Sequence, residues 1–185
     1  LKVNIINERF EKKILSSKLF INKARINSKT VKKNDIFFAI KGKKNDGNKF
    51  VKQAIQKKAL MTVVNKIQKE LPTNKQASSI NPLGLLTETA KIFRNNISTK
   101  IIAITGSCGK TSLKELLGNT LNKISKTTIS PQSYNNKYGV PLSLFNINQN
   151  DDYGVIEVGM DKKGEIDKLS KIIQPDISVI TNINY

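Results

Sequence analysis

Residues Ile101-Ile-Ala-Ile-Thr-Gly-Ser-Cys-Gly-Lys-Thr-Ser112 decide how the second half of this chain folds. The apolar run from Ile101 to Ile104 predicts a short buried strand. Gly106 to Gly109 is a tight turn, and Lys110 to Asn122 has helical spacing. Strand, glycine turn and a helix opening on Lys-Thr are, in that order, the parts of a phosphate loop. The glycines let backbone N–H groups turn towards an anion, and the helix adds its N-terminal N–H groups and partial positive charge. Lys110 has the reach to meet β- and γ-phosphates, and the Thr111 hydroxyl suits magnesium. The loop is short, because the position where longer loops carry their first glycine is Ile104. Gly-Lys-Thr by itself would mean little, so the flanking strand and helix carry the reading. ATP and Mg2+ are the expected cofactors, with Thr105, Gly106, Ser107, Cys108, Gly109, Lys110, Thr111 and Ser112 as the ATP-binding stretch.

Working outward, strands continue to alternate with helices. Val155 to Val158 predicts a strand, Glu165 to Ile173 a helix and Ile177 to Ile180 a strand. Strands joined through helices imply a mostly parallel sheet, with Ile101 to Thr105 central. Towards the N-terminus, Asp35 to Ile40 predicts a buried strand, and Lys41 to Asn48, with Gly42, Asp46 and Gly47, a loop. Phe50 to Lys58 then predicts a helix and Leu60 to Val64 a strand. Phe10 to Ile26 reads as small strands and turns, and Pro72 to Asn81 as a polar connection and edge segment. Leu85, Leu86, Thr89, Ala90 and Phe93 mark an amphipathic helix. The fold class is therefore α/β, with a small domain over residues 1–80, a connecting helix over 81–99 and the start of a parallel-sheet unit over 100–185.

Composition excludes several chemistries. There is no histidine and a single cysteine, Cys108. A zinc site of soft ligands, a histidine-dependent triad and an intramolecular disulfide are all out of reach within these residues. Any metal here is a hard ion held by oxygens. Lys and Arg number 32 against 14 Asp and Glu, a net charge of +18. Such an excess can mark a nucleic-acid surface. Here the positive charge is nearly all lysine, spread along the chain beside abundant Asn and Ile, and aromatic platforms are scarce at 6%. Compositional drift accounts for it better than a dedicated nucleic-acid surface, and scattered lysines such as Lys162 and Lys163 are expected in solvent. No apolar run is long enough to span a membrane and no secretory signal is visible, so a cytoplasmic monomer is expected. The first residue is Leu, which suggests a trimmed or incomplete start.

Glu157 falls at the C-terminal end of a parallel strand, where open α/β sheets place ligands. It could be an ordinary solvated glutamate. Its apolar neighbours make an idle charge there costly, which favours metal ligation. Thr111 and Glu157 are thus the expected metal ligands, on one edge of the sheet, and Lys110 and Glu157 the catalytic candidates. Asn135 and Asn136 fit either a simple turn or contact with an uncharged peptide or sugar.

The short loop preceded by Ile-Thr resembles the ATP-binding loop of the Mur ligases and folylpolyglutamate synthases. Three further segments resemble the Mur ligases: Tyr134-Asn-Asn-Lys-Tyr-Gly-Val-Pro-Leu142, Val155-Ile-Glu-Val-Gly-Met-Asp-Lys-Lys-Gly-Glu-Ile166 and Pro175-Asp-Ile-Ser-Val-Ile-Thr-Asn-Ile183. The Asn-Asn segment is similar to that of the branch joining D-alanyl-D-alanine to UDP-N-acetylmuramoyl-tripeptide; other members of the family remain the alternative, and a nucleic-acid-binding phosphate-loop protein a more distant one. Residues 27–42, with Asp46 and Gly47, resemble the domain that holds the UDP-sugar. The resemblance implies substrate contacts at Ser28, Lys29, Asp46, Gly47, Asn135 and Asn136. It also implies an acyl-phosphate mechanism and a fold of a UDP-sugar domain followed by a phosphate-loop ATPase domain. The chain departs from the family at Asn27-Ser-Lys29, where Asp-Ser-Arg is usual, at Asn48, where His is common, and at Cys108, where Asn is common. In the family a metal-binding His, a modified Lys and a third domain follow the Thr-Asn-Ile segment, so the chain is expected to be a fragment without ligase turnover of its own.

Overall fold

The computed structural model describes residues 1–10, 16, 18–42, 45–131 and 134–183. Two compact units divide it, Leu1–Thr89 and Ala90–Tyr185. Each is built on its own four-stranded sheet in which all paired neighbours are parallel.

The first unit contains α1 (Lys2–Arg9), β1 (Ala24–Arg25), β2 (Ile36–Phe38), α2 (Val51–Gln56), β3 (Met61–Val64) and β4 (Gln76–Ser78), with strand order β1-β2-β3-β4. Every residue of β2 and β3 is buried, as continuous apolar runs in parallel sheets require. Phe37, Ala39 and Val64 pack with Val51 and Ala54 of α2, closed by the half-buried Ile55, Ile67 and Leu71. Asp35, just ahead of β2, is fully buried yet well partnered. It accepts Arg25 Nε at 2.9 Å and the backbone N–H groups of Lys23 and Lys32 at 3.1 and 2.9 Å.

Three details of this unit go beyond the sequence pattern. Helix α1, which buries Val3, Ile5 and Ile6, was not anticipated. Of the predicted strands and turns across Phe10 to Ile26, β1 forms, while residues 11–15 and 17 lie outside the described residues, as do 43 and 44 of the predicted loop. The polar connection from Pro72 contains strand β4, paired Thr62 to Gln76. Three residues are too few to show a period. Pairing with β3 and the mutual hydrogen bonds of Gln68 and the Gln76 amide, both 2.9 Å, make the strand.

In sequence, α3 (Pro82–Asn95) contains the dividing point. The second unit continues with β5 (Lys100–Thr105), α4 (Lys110–Leu121), β6 (Thr127–Ile129), α5 (Gly139–Phe145), β7 (Tyr153–Glu157), α6 (Glu165–Ile173) and β8 (Ile177–Ile180). The order β6-β7-β5-β8 makes β5 an interior strand, as its apolar run predicts. Leu113, Leu117 and Leu121, one turn apart on α4, pack onto Ile102, Ile104 and Val155. Helix α5 gave no amphipathic signal because all seven of its residues are buried, so it has no polar face. Because β5 and β7 run parallel with Ile104 opposite Glu157, their C-terminal ends share one edge, and the site is built there. Among the described residues no helix is long and apolar enough to cross a membrane.

At the opposite edge Asp176 ties the unit together. It accepts the Ile101 N–H at 2.8 Å, Arg94 Nη2 at 2.8 Å and Lys100 Nζ at 3.2 Å. The Ile101 N–H first, and the Lys100 and Arg94 cations after it, hold its carboxyl below the ordinary aspartate range. A carboxylate with a depressed folded pKa stabilises above the unfolded value, about 3.9, and that contribution disappears as pH falls through the folded value. Asp176→Asn is therefore expected to melt below the parent at pH 7. Thermal midpoints measured down to pH 3 should show the gap constant to about pH 5 and closing below ~4. A pH-independent gap would refute this assignment.

Candidate functional site

The turn between β5 and α4 carries two left-handed glycines, Gly106 at φ 137° and Gly109 at φ 79°. At Gly106 a Cβ would come within 2.1 Å of the Thr181 hydroxyl, so only glycine lets the chain leave β5 beside the end of β8. The turn is clamped by the two residues after β8. Ser107 N–H donates to the Asn182 carbonyl at 3.0 Å, Cys108 N–H to Asn182 Oδ1 at 2.9 Å, and the Thr181 hydroxyl to the Cys108 carbonyl at 2.5 Å. No side chain caps the start of α4, so its first-turn N–H groups are left for an anion. Lys110 Nζ folds back onto the carbonyls of Gly106, at 2.5 Å, and Ser107, at 3.2 Å. Thr105 closes the strand end by donating to the Val158 carbonyl at 3.0 Å.

The expected meeting of Thr111 and Glu157 is present. The Thr111 hydroxyl donates to Glu157 Oε2 at 2.8 Å, and Asn135 Nδ2 donates to Glu157 Oε1 at 2.9 Å. Glu157 is only 3% exposed, so it is not a solvated glutamate. Its backbone N–H is held by Ser130 Oγ at 3.1 Å. Asn135 is fixed in turn, its carbonyl accepting the Gly159 N–H at 2.6 Å. Asn136 does different work: its Oδ1 accepts the N–H groups of Tyr138 and Gly139 and closes the turn before α5.

Among the described residues no group of three or more His, Cys, Asp or Glu could hold a metal. The donors present, one carboxylate and one hydroxyl, still fit magnesium. That ion keeps several waters and completes its octahedron with substrate phosphates rather than with an all-protein cage. Zinc is not served by this set.

One expectation about the lysines is overturned. Lys162 and Lys163 are exposed, but Lys114 is completely buried against Ser130, Glu115 and Glu157. Its spacing of four from Lys110 was the available signal, masked by lysines at so many solvated positions. Ser130, Thr181 and Asn182 also went unrecognised as parts of the site, since only the fold brings them to the turn.

In the first unit, the candidate substrate residues follow strand ends. Ser28 and Lys29 lie in the 3-10 turn after β1, capped by Asn27 Oδ1 accepting the Lys29 N–H at 3.0 Å. The Ser28 hydroxyl is buried and donates to Gln53 Oε1 at 2.6 Å, while Lys29 is exposed and its carbonyl accepts Lys57 Nζ at 2.7 Å. Asp46 accepts the backbone and side-chain N–H groups of Asn48 at 2.9 and 2.7 Å. The Asn48 side chain first, then its backbone, hold the Asp46 carboxyl below its usual range. Gly47 is packed so closely that a Cβ would lie 2.7 Å from Ile40 N. Asn48 cross-links to Asn65 at the end of β3 through two bonds of 2.9 and 3.1 Å. Helix α2 packs on both turns.

Known proteins match most of the chain. The profile of the Mur ligase family catalytic domain covers residues 21–100 and that of the Mur ligase middle domain residues 104–185. The UDP-N-acetylmuramoyl-tripeptide–D-alanyl-D-alanine ligase of Buchnera aphidicola (subsp. Acyrthosiphon pisum) is 39% identical over 167 residues, 90% of this chain. The solved UDP-N-acetylmuramoylalanyl-D-glutamyl-2,6-diaminopimelate–D-alanyl-D-alanyl ligase of Acinetobacter baumannii superposes with a TM-score of 0.82 at 29% identity over 98% of the chain. MurF ligase from Thermotoga maritima in complex with ADP gives 0.73 at 30% identity over 90% of the chain. The chain spans 36%, 41% and 39% of these three proteins respectively.

Proposed function

This chain belongs to the Mur ligase family, and we propose that it supplies the nucleotide-sugar unit and the beginning of the ATP unit of a ligase joining D-alanyl-D-alanine to UDP-N-acetylmuramoyl-tripeptide in peptidoglycan precursor synthesis. The observation that carries the ATP site is the convergence of Thr111 and Asn135 on one buried carboxylate, Glu157, at the mouth of the glycine turn. The similarity to a ligase crystallised with ADP supports the nucleotide, and the Asn135-Asn136 segment supports this branch of the family.

In this reading the γ-phosphoryl group of ATP passes to the tripeptide carboxylate. The amine of D-alanyl-D-alanine attacks the resulting acyl phosphate, the amide bond forms and inorganic phosphate leaves. The main obstacle is charge, since one anion must approach another. The first-turn N–H groups of α4 and Lys110 offset it by holding the polyphosphate. Lys110 is already tethered to the turn and needs only to exchange two carbonyls for phosphate oxygens. Thr111 and Glu157 would hold magnesium, which when bound neutralises phosphate charge and orients the transferring group. Asn135 keeps Glu157 facing Thr111. In the first unit the exposed Lys29 and the ordered Asp46-Gly47-Asn48 turn present cationic and amide groups at the C-terminal edge of a parallel sheet, a common place for a nucleotide ligand. Use of ATP and a UDP-linked precursor supports a cytoplasmic reaction.

The test is phosphate release by the full-length protein with ATP, Mg2+, UDP-N-acetylmuramoyl-tripeptide and D-alanyl-D-alanine. Release is expected only when all are present, with one amide formed per phosphate. Equal turnover when a free amino acid replaces D-alanyl-D-alanine would assign the protein to another branch of the family.

A further inference from the structure

We infer that Lys114 is a positioning residue: its buried ammonium holds the Glu157 carboxylate in the orientation that faces Thr111, and so sets how strongly magnesium supports nucleotide binding. The inference rests on the reading of this site as one for ATP and magnesium.

Lys114 lies one helical turn beyond Lys110 on α4, and its side chain has no exposure to solvent. An ammonium in that position is retained only if it is paired and hydrogen-bonded. It donates to the Ser130 carbonyl at 2.9 Å and meets two carboxylates, Glu115 Oε1 at 3.0 Å and Glu157 Oε2 at 3.9 Å. The Glu115 side chain is 41% exposed and shares its charge with solvent, whereas that of Glu157 is 4% exposed and does not. The ammonium is thus the one cation paired, among the described residues, with the candidate metal-side carboxylate. Oε2 lies between the Thr111 hydroxyl and this ammonium, while Oε1 is taken by Asn135.

Ser130 makes the arrangement rigid. Its carbonyl receives Lys114, its hydroxyl accepts the Glu157 N–H at 3.1 Å, and its own N–H donates to the Val155 carbonyl at 2.8 Å. One buried lysine therefore braces α4, the end of β6 and the backbone and side chain of Glu157. Lys110 touches the turn itself; Lys114, beneath it and enclosed, acts through Glu157. Partners of this kind commonly govern the affinity of the metal that the carboxylate holds.

The test is ADP affinity of the full-length protein by calorimetry, with magnesium and with EDTA. Lys114→Gln keeps a donor for Ser130 and removes the charge; Lys114→Arg keeps the charge. The Gln variant is expected to bind ADP in EDTA within about twofold of the parent, while the tightening produced by magnesium falls roughly tenfold or more. The Arg variant should keep most of that tightening. If Lys114→Gln cannot be purified folded, Lys114→Met, of similar length, takes its place in the same measurement. An undiminished magnesium effect in the neutral variant, or equal weakening with and without metal, would overturn the inference while leaving the site reading intact. Absence of magnesium-dependent ADP binding in the parent would overturn the site reading and this inference with it.

Discussion

Lys110→Ala in the full-length protein is expected to reduce ATP-dependent ligation by at least ~10²–10³-fold, the scale seen when one preorganised group at developing charge is removed. Among the described residues Lys110 Nζ bonds to the turn, through the Gly106 and Ser107 carbonyls. Its loss leaves the apolar packing of α4 through Leu113, Leu117 and Leu121 in place. The fold should therefore survive, with an unchanged circular dichroism spectrum and a melting point within a few degrees. What disappears, on the proposed reading, is the cation that would offset repulsion between polyphosphate and carboxylate. The expected pattern is a large fall in phosphate release with a smaller fall in ADP affinity, because α4 N–H groups and Thr111 still engage the nucleotide. Turnover within tenfold of the parent would show that another cation carries this role.

The largest stability effect is expected at Asp35. Asp35→Ala removes a fully buried carboxylate and leaves Arg25 Nε and the N–H groups of Lys23 and Lys32 without their acceptor. Breaking a buried pair from one side costs about 3–5 kcal/mol, because the remaining partner is stranded. For a unit of this size that corresponds to a fall of well over ~10 °C in its melting temperature. Asp35→Asn retains one acceptor and should fall between. Hydrogen exchange should locate the loss: amides of β2 and β3 lose protection, while those of β5 and β7 keep theirs. A cost below ~1 kcal/mol would mean that water replaces the carboxylate.

Local chemistry determines much of this protein. The turn from Gly106 to Gly109 needs φ values open chiefly to glycine. The apolar runs at Ile101–Ile104, Asp35–Ile40 and Leu60–Val64 fit short buried strands, and their alternation with helices fits a parallel sheet. Glu157, a charge at the end of an apolar run, announced itself because burying it idle would be costly. These are properties of a few adjacent residues, which is why they could be read in order along the chain.

What the tertiary structure alone decided lies where partners are far apart in sequence. β4 exists because Gln76 pairs with Thr62, and α5 is a helix that no periodicity announces because every side is covered. Asn182 reaches Cys108 across 74 positions to clamp the turn. Lys114 looks like any of the chain's many lysines until α4, β6 and β7 close around it. A lysine's sequence neighbours do not show whether its charge meets water or a carboxylate, since that carboxylate, Glu157, is supplied by a strand 43 residues away (157 − 114) and only packing brings the two together.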